Sequence, residues 1–270
     1  MLVALRDDGR IEAARAEKGP LYRCPNCRKD VILKKGRIRV HHFSHKPPVS
    51  CFWPKGETFA HLTAKSRFRD AFERRGLKVA VEHEVESLLG DRRADVMVCS
   101  PNGRRVAIEL QHNTISVEDI ETRTEGYLAA GISVIWVPFL PKGLLETAES
   151  LAEKEGAPLV IKKYPARAWE RWLHGYNFGG LWMYDPSTGK LWRGRLKGHE
   201  LFVEPAHWFD ETGEERYTGG NYRYSKRWRE LTLWGPIDLD GAKIEFFNRR
   251  KTEMGNFRYP GGKAARFTAR

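Results

Sequence analysis

The sequence predicts an α/β fold whose central part runs helix, three strands, helix and strand. A helical pattern over 58–75 precedes three strand-like runs that are separated by turn signals. A second helical pattern over 117–129 leads to 132–139, a continuous apolar run that is typical of a fully buried strand. A cysteine-containing segment precedes this core and a β-rich segment follows it, so we expect three domains, over 1–54, 55–163 and 164–270.

The N-terminal segment is predicted as a small β domain. Apolar runs over 2–5 and 11–14 flank the Asp-Asp-Gly of residues 7–9, a turn signal that is typical of a hairpin. Further short strands are expected at VILKK and RIRVHHF, on either side of Gly36.

The central elements follow from periodicity and capping signals. Phe59, Leu62, Phe68 and Phe72 recur at helical intervals, and Gly76 ends that helix. The strand-like runs over 78–85, 94–100 and 105–111 are joined by short turns, which favours antiparallel pairing. Strands paired across the second helix should be parallel and joined by a right-handed crossover.

The second helix should begin after Ser116, its N-cap, and end at Gly131. Beyond the core, we expect two short helices around the strand PLVIKK and a hairpin at LWMYDPSTGKLWRG. Seven of the nine tryptophans and seven of the nine tyrosines lie from residue 164 onward. We therefore expect a β-rich, aromatic-rich C-terminal domain.

Charge and composition limit the class of protein. The 270 residues are 41% hydrophobic, which excludes a wholly disordered chain. A formal net charge of +12 favours a polyanionic partner, and nucleic acid before a membrane surface. The sequence contains neither an apolar run that could span a membrane nor a signal peptide, so we expect a cytoplasmic protein without membrane partners.

Cysteine and histidine spacing predicts a structural zinc site. Cys24 and Cys27 form a Cys-x2-Cys motif, which is typical of a zinc knuckle. His42, His45 and Cys51 are candidates for the remaining ligands. His41 and His42 are adjacent on a predicted strand, so only one of them should bind. The alternative is two free thiols with surface histidines.

Acidic residues on neighbouring strands predict a second metal site. Asp95 lies on the second strand and Glu109 on the third, and Glu109 shares a face with Gln111 because side chains alternate along a strand. Two such carboxylates can bind a hard cation such as Mg²⁺. Taken alone the pattern is weak, and solvent-facing strand residues would explain it better.

Two helical stripes are further candidates. Glu57, His61 and Lys65 are spaced four residues apart on the first helix, and Arg123 and Tyr127 are one turn apart on the second. Arg123 could bind a phosphate, and Tyr127 could stack or donate a hydrogen bond. Each stripe in isolation is more simply an ordinary helix surface.

Together these motifs resemble the competence protein CoiA family. MLVAL with its following DG and I, CPNC, HHFSH, E-x3-H-x3-K, RADV, IELQ and R-x3-Y succeed one another over roughly residues 1–140. The resemblance implies a restriction-endonuclease-like core of the PD-(D/E)XK type joined to a zinc-binding N-terminal segment. It makes Asp95 and Glu109 the ligands of a catalytic Mg²⁺ (or Mn²⁺), and it puts Gln111 where the superfamily usually has lysine.

Because Gln111 carries no positive charge, another cation near the site would have to supply it. Lys65 or Arg123 could supply the charge that Gln111 lacks. Glu84, at the end of the first strand, is a candidate third carboxylate. Glu57 and His61 are expected to line the cleft, where they would orient the metal site or the substrate.

We therefore predict a metal-dependent deoxyribonuclease that acts in DNA processing or recombination. The last stretch, 216–270, has 13 Lys and Arg against five Asp and Glu, and we expect Lys226, Arg227 and Arg229 to bind the DNA backbone. The alternatives are a zinc-containing DNA-binding accessory protein without catalysis, and a defence or mobile-element nuclease of the same chemistry. Either nuclease hypothesis would bring recombination or defence proteins as partners.

Overall fold

The structure is a computed structural model that describes residues 1–7, 9–48, 51 and 57–269. This described part is mostly β-sheet with three α-helices, and it divides into two compact units. The first unit comprises Met1–Leu140, Trp182–Leu191 and Pro236–Arg270, and the second comprises Pro141–Leu181 and Trp192–Gly235. Within the same residues, every helix is too short or too polar to cross a lipid bilayer.

The N-terminal segment forms an antiparallel sheet in the first unit. Its strands are β1 (Val3–Arg6), β2 (Gly9–Glu12), β3 (Tyr22–Arg23), β4 (Asp30–Lys34) and β5 (His42–His45), in the spatial order β2-β1-β3-β4-β5. The predicted hairpin and the strand at VILKK are confirmed, although residue 8 of the turn lies outside the described residues. RIRVHHF is extended only from His42 onward. Tyr22 and Phe43 pack together inside this sheet, with ring centroids 5.0 Å apart.

The central elements occur in the predicted order. They are α1 (Phe59–Arg74), β6 (Lys78–Val85), β7 (Arg92–Cys99), β8 (Arg105–Gln111), α2 (Val117–Ala129) and β9 (Ser133–Pro138). The sheet order is β6-β7-β8-β9, with antiparallel pairing except that β9 runs parallel to β8. Ser116 caps α2 as predicted, because its Oγ accepts a hydrogen bond from the Asp119 amide at 3.0 Å.

Register places three acidic residues in one row across this sheet. The β6–β7 pairs Val81–Val96 and His83–Ala94 set Glu82 opposite Asp95. The β7–β8 register, continued by one residue from Val96–Ile108, sets Asp95 opposite Glu109. Directly opposed residues project on the same side of a sheet, so the fold itself gathers carboxylates from consecutive strands.

The remaining elements lie in both units. They are a 3₁₀ turn (Leu144–Thr147), β10 (Glu149–Ser150), β11 (Leu159–Tyr164), α3 (Ala168–Tyr176), β12 (Leu181–Asp185), β13 (Lys190–Val203), β14 (Ala206–Phe209), β15 (Glu215–Thr218), β16 (Asn221–Ile237), a second 3₁₀ turn (Leu239–Gly241), β17 (Lys243–Arg249), β18 (Thr252–Met254), β19 (Phe257–Tyr259) and β20 (Gly262–Thr268). The first of the two predicted short helices is thus only a 3₁₀ turn. The predicted hairpin turn is present, with the Gly189 amide donating to the Asp185 carbonyl at 2.8 Å.

The second unit is a small sheet that carries one helix. Strands β10, β11, β16 and β13 are neighbours in that order, and β14 and β15 form a separate hairpin. Helix α3 buries Trp169, Trp172 and Leu173, so several of the C-terminal aromatics form a core.

The C-terminal hairpin β17–β20 belongs to the first unit. Phe267 packs against both Phe68 and Phe72 of α1, with centroid distances of 6.4 and 6.3 Å. The predicted segment 164–270 therefore contributes to both units, because an aromatic contact far apart in sequence joins its end to α1. The predicted boundary at 54 lies outside the described residues, and the three-domain division stays a prediction.

Candidate functional site

An open cleft of about 1340 Å³ in the first unit contains the predicted acidic residues. Helices α1 and α2 and strands β6, β7 and β8 all contribute to its lining. Arg10 and the knuckle residues Pro25 and Asn26 also line it. The N-terminal sheet is therefore one wall of the cleft.

Asp95 is held in the cleft by three groups. Its Oδ2 accepts from the Leu110 amide at 2.9 Å and lies 3.1 Å from His61 Nε2, and its Oδ1 lies 3.1 Å from Lys65 Nζ. Burial raises the pKa of this carboxyl, but the Lys65 and His61 charges outweigh burial and hold the pKa well below its usual range. Asp95 is therefore an ionised carboxylate in a fixed orientation.

Lys65 supplies a buried positive charge next to Asp95. Its side chain is 1% exposed, and its Nζ lies 2.5 Å from Glu57 Oε1 and 3.3 Å from Glu82 Oε1. Burial lowers the pKa of this ammonium, whereas the carboxylates of Asp95, Glu82 and Glu57 raise it above its usual range. An ammonium has three N–H donors, and three carboxylates surround this one.

Glu82 is the carboxylate that sequence reasoning missed. It is completely buried, and its φ of 51° lies in the left-handed region that non-glycine residues rarely adopt. The predicted third carboxylate, Glu84, is instead mostly exposed and pairs with Arg10 at 2.9 Å. Simple alternation treats the two alike, but aligning the predicted strands would have set Glu82 opposite Asp95.

Glu109 of β8 lies opposite Asp95 of β7, and two side chains of α2 hold it in place. Tyr127 Oη donates to Glu109 Oε1 at 2.5 Å, and Arg123 forms an ion pair with Oε2. Burial raises the pKa of the Glu109 carboxyl, Arg123 opposes that rise, and the net direction is upward. Burial and the Glu109 charge likewise raise the pKa of Tyr127 above its usual range, so its hydroxyl stays a donor.

Gln111 is at the mouth of the cleft. Its Nε2 donates to the Asn113 carbonyl at 2.6 Å, and its side chain is half-buried. Arg123 also stacks on Trp136, with its guanidinium carbon 4.8 Å from the ring centroid. Of the predicted site residues, Glu57, His61, Lys65, Asp95, Glu109, Gln111, Arg123 and Tyr127 are thus brought together.

The charge balance of this cluster favours a cation. Glu57, Glu82, Asp95 and Glu109 contribute four carboxylates, against three cations: the ammonium of Lys65, the guanidinium of Arg123 and the Met1 ammonium, which is 3.0 Å from Glu57 Oε2. Each ionised carboxylate offers about four lone-pair positions, so Asp95 and Glu109 keep acceptor capacity beyond their protein contacts. Oxygen donors with excess negative charge fit a hard divalent ion such as Mg²⁺.

A second cluster combines sulfur and imidazole ligands in the N-terminal sheet. The ligand atoms of Cys24, Cys27, His45 and Cys51 all lie within 4.8 Å of one another, and Cys27 Sγ is 3.3 Å from His45 Nε2. Burial raises the pKa of the Cys24 thiol to about 12, so the neutral thiol is favoured. A bound cation would favour the thiolate instead. Three cysteines and one histidine are a set that could hold structural zinc.

Of the candidate histidines, the geometry brings His45 to the cysteines. His42 Nδ1 lies 2.9 Å from the Val40 carbonyl, and neither His42 nor its neighbour His41 joins the cluster. His45 belongs to the cluster because the strand β5 pairs with β4 in a register that sets it opposite Val31.

The predicted DNA-contacting residues of the C-terminal part lie on β16 in the second unit. Lys226 and Arg227 are exposed, and Arg227 lies over the Trp228 ring at 4.5 Å. Arg229 is half-buried, and its Nη1 donates to the Ser225 carbonyl at 2.8 Å. Lys226 and Arg227 thus face solvent, whereas Arg229 is partly committed to its own strand.

Comparison with known proteins finds two family models that match this chain. Residues 57–155 match the nuclease-like domain of competence protein CoiA, and residues 5–53 match its N-terminal domain. These matches together cover more than half of the chain.

One curated relative also aligns with the chain. It is competence protein CoiA of Bacillus subtilis (strain 168), which is 28% identical over 115 residues. The alignment spans 42% of this chain and 30% of the relative, so the chain spans less than a third of that relative's length. Residues after 155 lie outside both family matches.

Proposed function

The chain belongs to the competence protein CoiA family, and we propose that it is a metal-dependent deoxyribonuclease. The reaction would be Mg²⁺-dependent (or Mn²⁺-dependent) hydrolysis of phosphodiester bonds, on a restriction-endonuclease-like core of the PD-(D/E)XK type. The name of the relative favours a role in competence. We infer that this role is DNA processing linked to recombination.

One observation carries the proposal. Asp95 and Glu109 lie opposite each other on β7 and β8, inside the cleft and beside the buried ammonium of Lys65. A row of carboxylates beside one fixed cation suits metal-assisted phosphodiester hydrolysis, because a bound metal ion and the ammonium can both stabilise negative charge that develops on the phosphate. Solvent-facing strand residues would not be buried and held by partners in this way.

Asp95 and Glu109 would hold the divalent ion, which, when bound, polarises the scissile phosphate and lowers the pKa of a bound water. Asp95 is fixed in orientation by the Leu110 amide and His61. Glu109 is oriented by Tyr127 and Arg123 from α2. These contacts place oxygen donors in a defined geometry before substrate arrives.

We assign to Lys65 the role that a lysine has in the superfamily at the position that Gln111 occupies here. Its Nζ is 3.1 Å from Asp95 Oδ1, so its charge lies beside the proposed metal site although it comes from a helix instead of β8. Gln111 can still orient a water or a phosphate oxygen by hydrogen bonding. Glu57 and His61 would fix Lys65 and Asp95 respectively.

Several arginines would hold the DNA backbone in the cleft. The cleft lining includes Arg10, Arg92, Arg93 and Arg105. In the second unit, Lys226 and Arg227 add exposed charge that could bind phosphates. The cysteine cluster would bind zinc and stabilise the cleft wall without taking part in the reaction, since its four protein ligands close the coordination shell.

The test is cleavage of plasmid and single-stranded DNA by purified protein with Mg²⁺, Mn²⁺, Ca²⁺ or EDTA. Asp95→Asn and Glu109→Gln should each lower the cleavage rate by at least about 100-fold, because a misplaced metal no longer meets the phosphate. Asp91→Asn is the matched control, since Asp91 is an exposed carboxylate on the cleft rim.

The outcomes separate the nuclease from its alternative. Cleavage that needs the cation and both carboxylates, and that Asp91→Asn retains, supports the proposal. Cleavage that both site variants retain identifies a contaminant. An inert wild-type protein that still shifts DNA on a gel supports a DNA-binding accessory protein instead.

A further inference from the structure

We propose that Glu82 is a positioning residue through which the N-terminal sheet holds Lys65 in place, so that this sheet is an integral part of the nuclease site. The inference rests on the proposed nuclease function and concerns a residue outside the motifs quoted in the sequence analysis. It is carried by the contacts of one buried carboxylate.

The backbone at Glu82 is distorted in a way that serves the side chain. Its φ of 51° interrupts the β6–β7 pairing at this one residue, while the register is the same on both sides. A non-glycine residue in the left-handed region is strained and persists only where its surroundings enforce it. Arg10 of β2 contributes to that enforcement, since its Nη2 donates to the Glu82 carbonyl at 2.5 Å.

The carboxylate of Glu82 bonds to the backbone of the N-terminal strand. The Leu2 amide donates to Oε1 at 3.0 Å, and the Val3 amide donates to Oε2 at 3.3 Å. Leu2 and Val3 are 2% exposed and pack in the same core as α1 and the central sheet. The beginning of β1 is therefore bound to the edge of the site.

The same carboxylate also contacts Lys65, 3.3 Å from its Nζ. A buried charge is costly unless it is paired and hydrogen-bonded, so Glu82 needs both its amide donors and the ammonium. Displacing β1 would leave the carboxylate under-solvated and would pull on Lys65. The position of β1 and the position of the Lys65 charge are thus coupled.

The cysteine cluster lies on the same sheet as β1. Leu5 of β1 pairs with Arg23 of β3, which immediately precedes Cys24. Phe43 of β5 is two residues before the cluster ligand His45. Its amide donates to the Met1 carbonyl at 2.9 Å. Metal at the cluster would therefore order the strand that Glu82 holds.

The test substitutes Glu82→Gln, which keeps size but turns one oxygen into an N–H donor facing an amide donor. Hydrogen exchange of residues 1–6 should accelerate by about tenfold or more, since a buried hydrogen-bond mismatch favours local opening. Cleavage at saturating DNA should fall by about tenfold or more, while DNA affinity measured in Ca²⁺ changes less than about threefold, because Lys65 acts on the chemical step. Glu118→Gln, an exposed carboxylate on α2 that is outside the cleft lining, should change none of these quantities.

Further outcomes decide between this role and the alternatives. Combining Glu82→Gln with Cys27→Ser should give less than the product of their separate rate losses, because both act through β1. Unchanged exchange of residues 1–6 in Glu82→Gln would overturn the inference whatever the cleavage result. Faster exchange with an unchanged rate would also overturn it, whereas an inert wild-type protein would remove the proposed function itself.

Discussion

The two ligand clusters of the first unit differ in chemistry and in what surrounds them. The cysteine cluster has soft ligands from three loops or strands, all within 4.8 Å, and its buried Cys24 favours the neutral thiol until a cation binds. The carboxylate cluster has hard oxygen ligands from adjacent strands, and protein cations already lie against each of them. The first arrangement suits a structural ion, and the second suits an ion that shares its ligands with a substrate.

The two clusters also differ in how far apart their residues are in the sequence. The cysteine cluster is assembled from residues 24–51, whereas the carboxylate row lies on three strands and its cations come from α1 and α2. Glu82 joins the two regions, because its carboxylate accepts hydrogen bonds from β1. Loss of the cysteine cluster should therefore also disturb the carboxylate row through β1, whereas a substitution in the row should leave metal binding by the cysteines intact.

The largest effect should follow loss of the cysteine cluster. Cys24→Ser should abolish zinc binding and unfold the N-terminal sheet, because structural zinc supplies on the order of 10 kcal/mol of folding free energy in small domains. Metal content by mass spectrometry and the thermal melting curve check it. Cys99→Ser is the control, since Cys99 lies outside the cluster. A Cys24→Ser protein that keeps one zinc per chain and its melting temperature would contradict the assignment.

A smaller effect should appear in the pH dependence of stability, through Glu57. Burial raises the pKa of this carboxyl, but Lys65 and the Met1 ammonium together outweigh burial and lower the pKa from 4.5 to about 2. Ionised Glu57 therefore stabilises the fold above pH 4.5, and this contribution is lost as the pH falls through about 2. The shift corresponds to at most about 3 kcal/mol.

Urea unfolding of the wild type and of Glu57→Gln checks this sign. The stability gap between them should shrink as the pH falls from 4.5 towards 2. The exposed Glu118→Gln on α2 provides the reference for a carboxylate without such a partner. A gap that stays constant over this range would show that Lys65 and the Met1 ammonium do not stabilise ionised Glu57.

The smallest effect should come from the exposed cations of the second unit. Replacing Lys226 and Arg227 by alanine should weaken DNA binding uniformly across sequences and reduce the salt slope by roughly one per phosphate contact. Fluorescence anisotropy at several salt concentrations measures it, with Lys154→Ala as the control for loss of an exposed charge. An unchanged salt slope would restrict DNA binding to the cleft.

Local signals in the sequence were sufficient for the central elements. Apolar periodicity predicted α1, α2 and the buried strand β9, and Ser116 marked the start of α2. The paired carboxylates and the cysteine motif were found because their residue types are chemically distinctive. The family resemblance is confirmed over these same regions.

Features set by tertiary contacts were beyond local signals. Glu82 and Glu84 belong to the same alternating pattern in the sequence. Glu82 is buried because β1 and the opposing strand pack against it, whereas Glu84 stays mostly exposed. The choice of His45 over His42 depends on the pairing of β5 with β4. The C-terminal hairpin joins the first unit because Phe267 packs against α1, and no residue near Phe267 in the sequence predicts that contact.

The central claim is that Asp95 and Glu109 hold a catalytic divalent ion, and anomalous diffraction from crystals grown with Mn²⁺ tests it most directly. The account predicts a Mn²⁺ peak roughly 2.1 Å from oxygens of both carboxylates. The peak should be absent from Asp95→Asn crystals and present in Asp91→Asn crystals. A peak elsewhere in the cleft, with none at Asp95 and Glu109 in a protein that cleaves DNA, would contradict it.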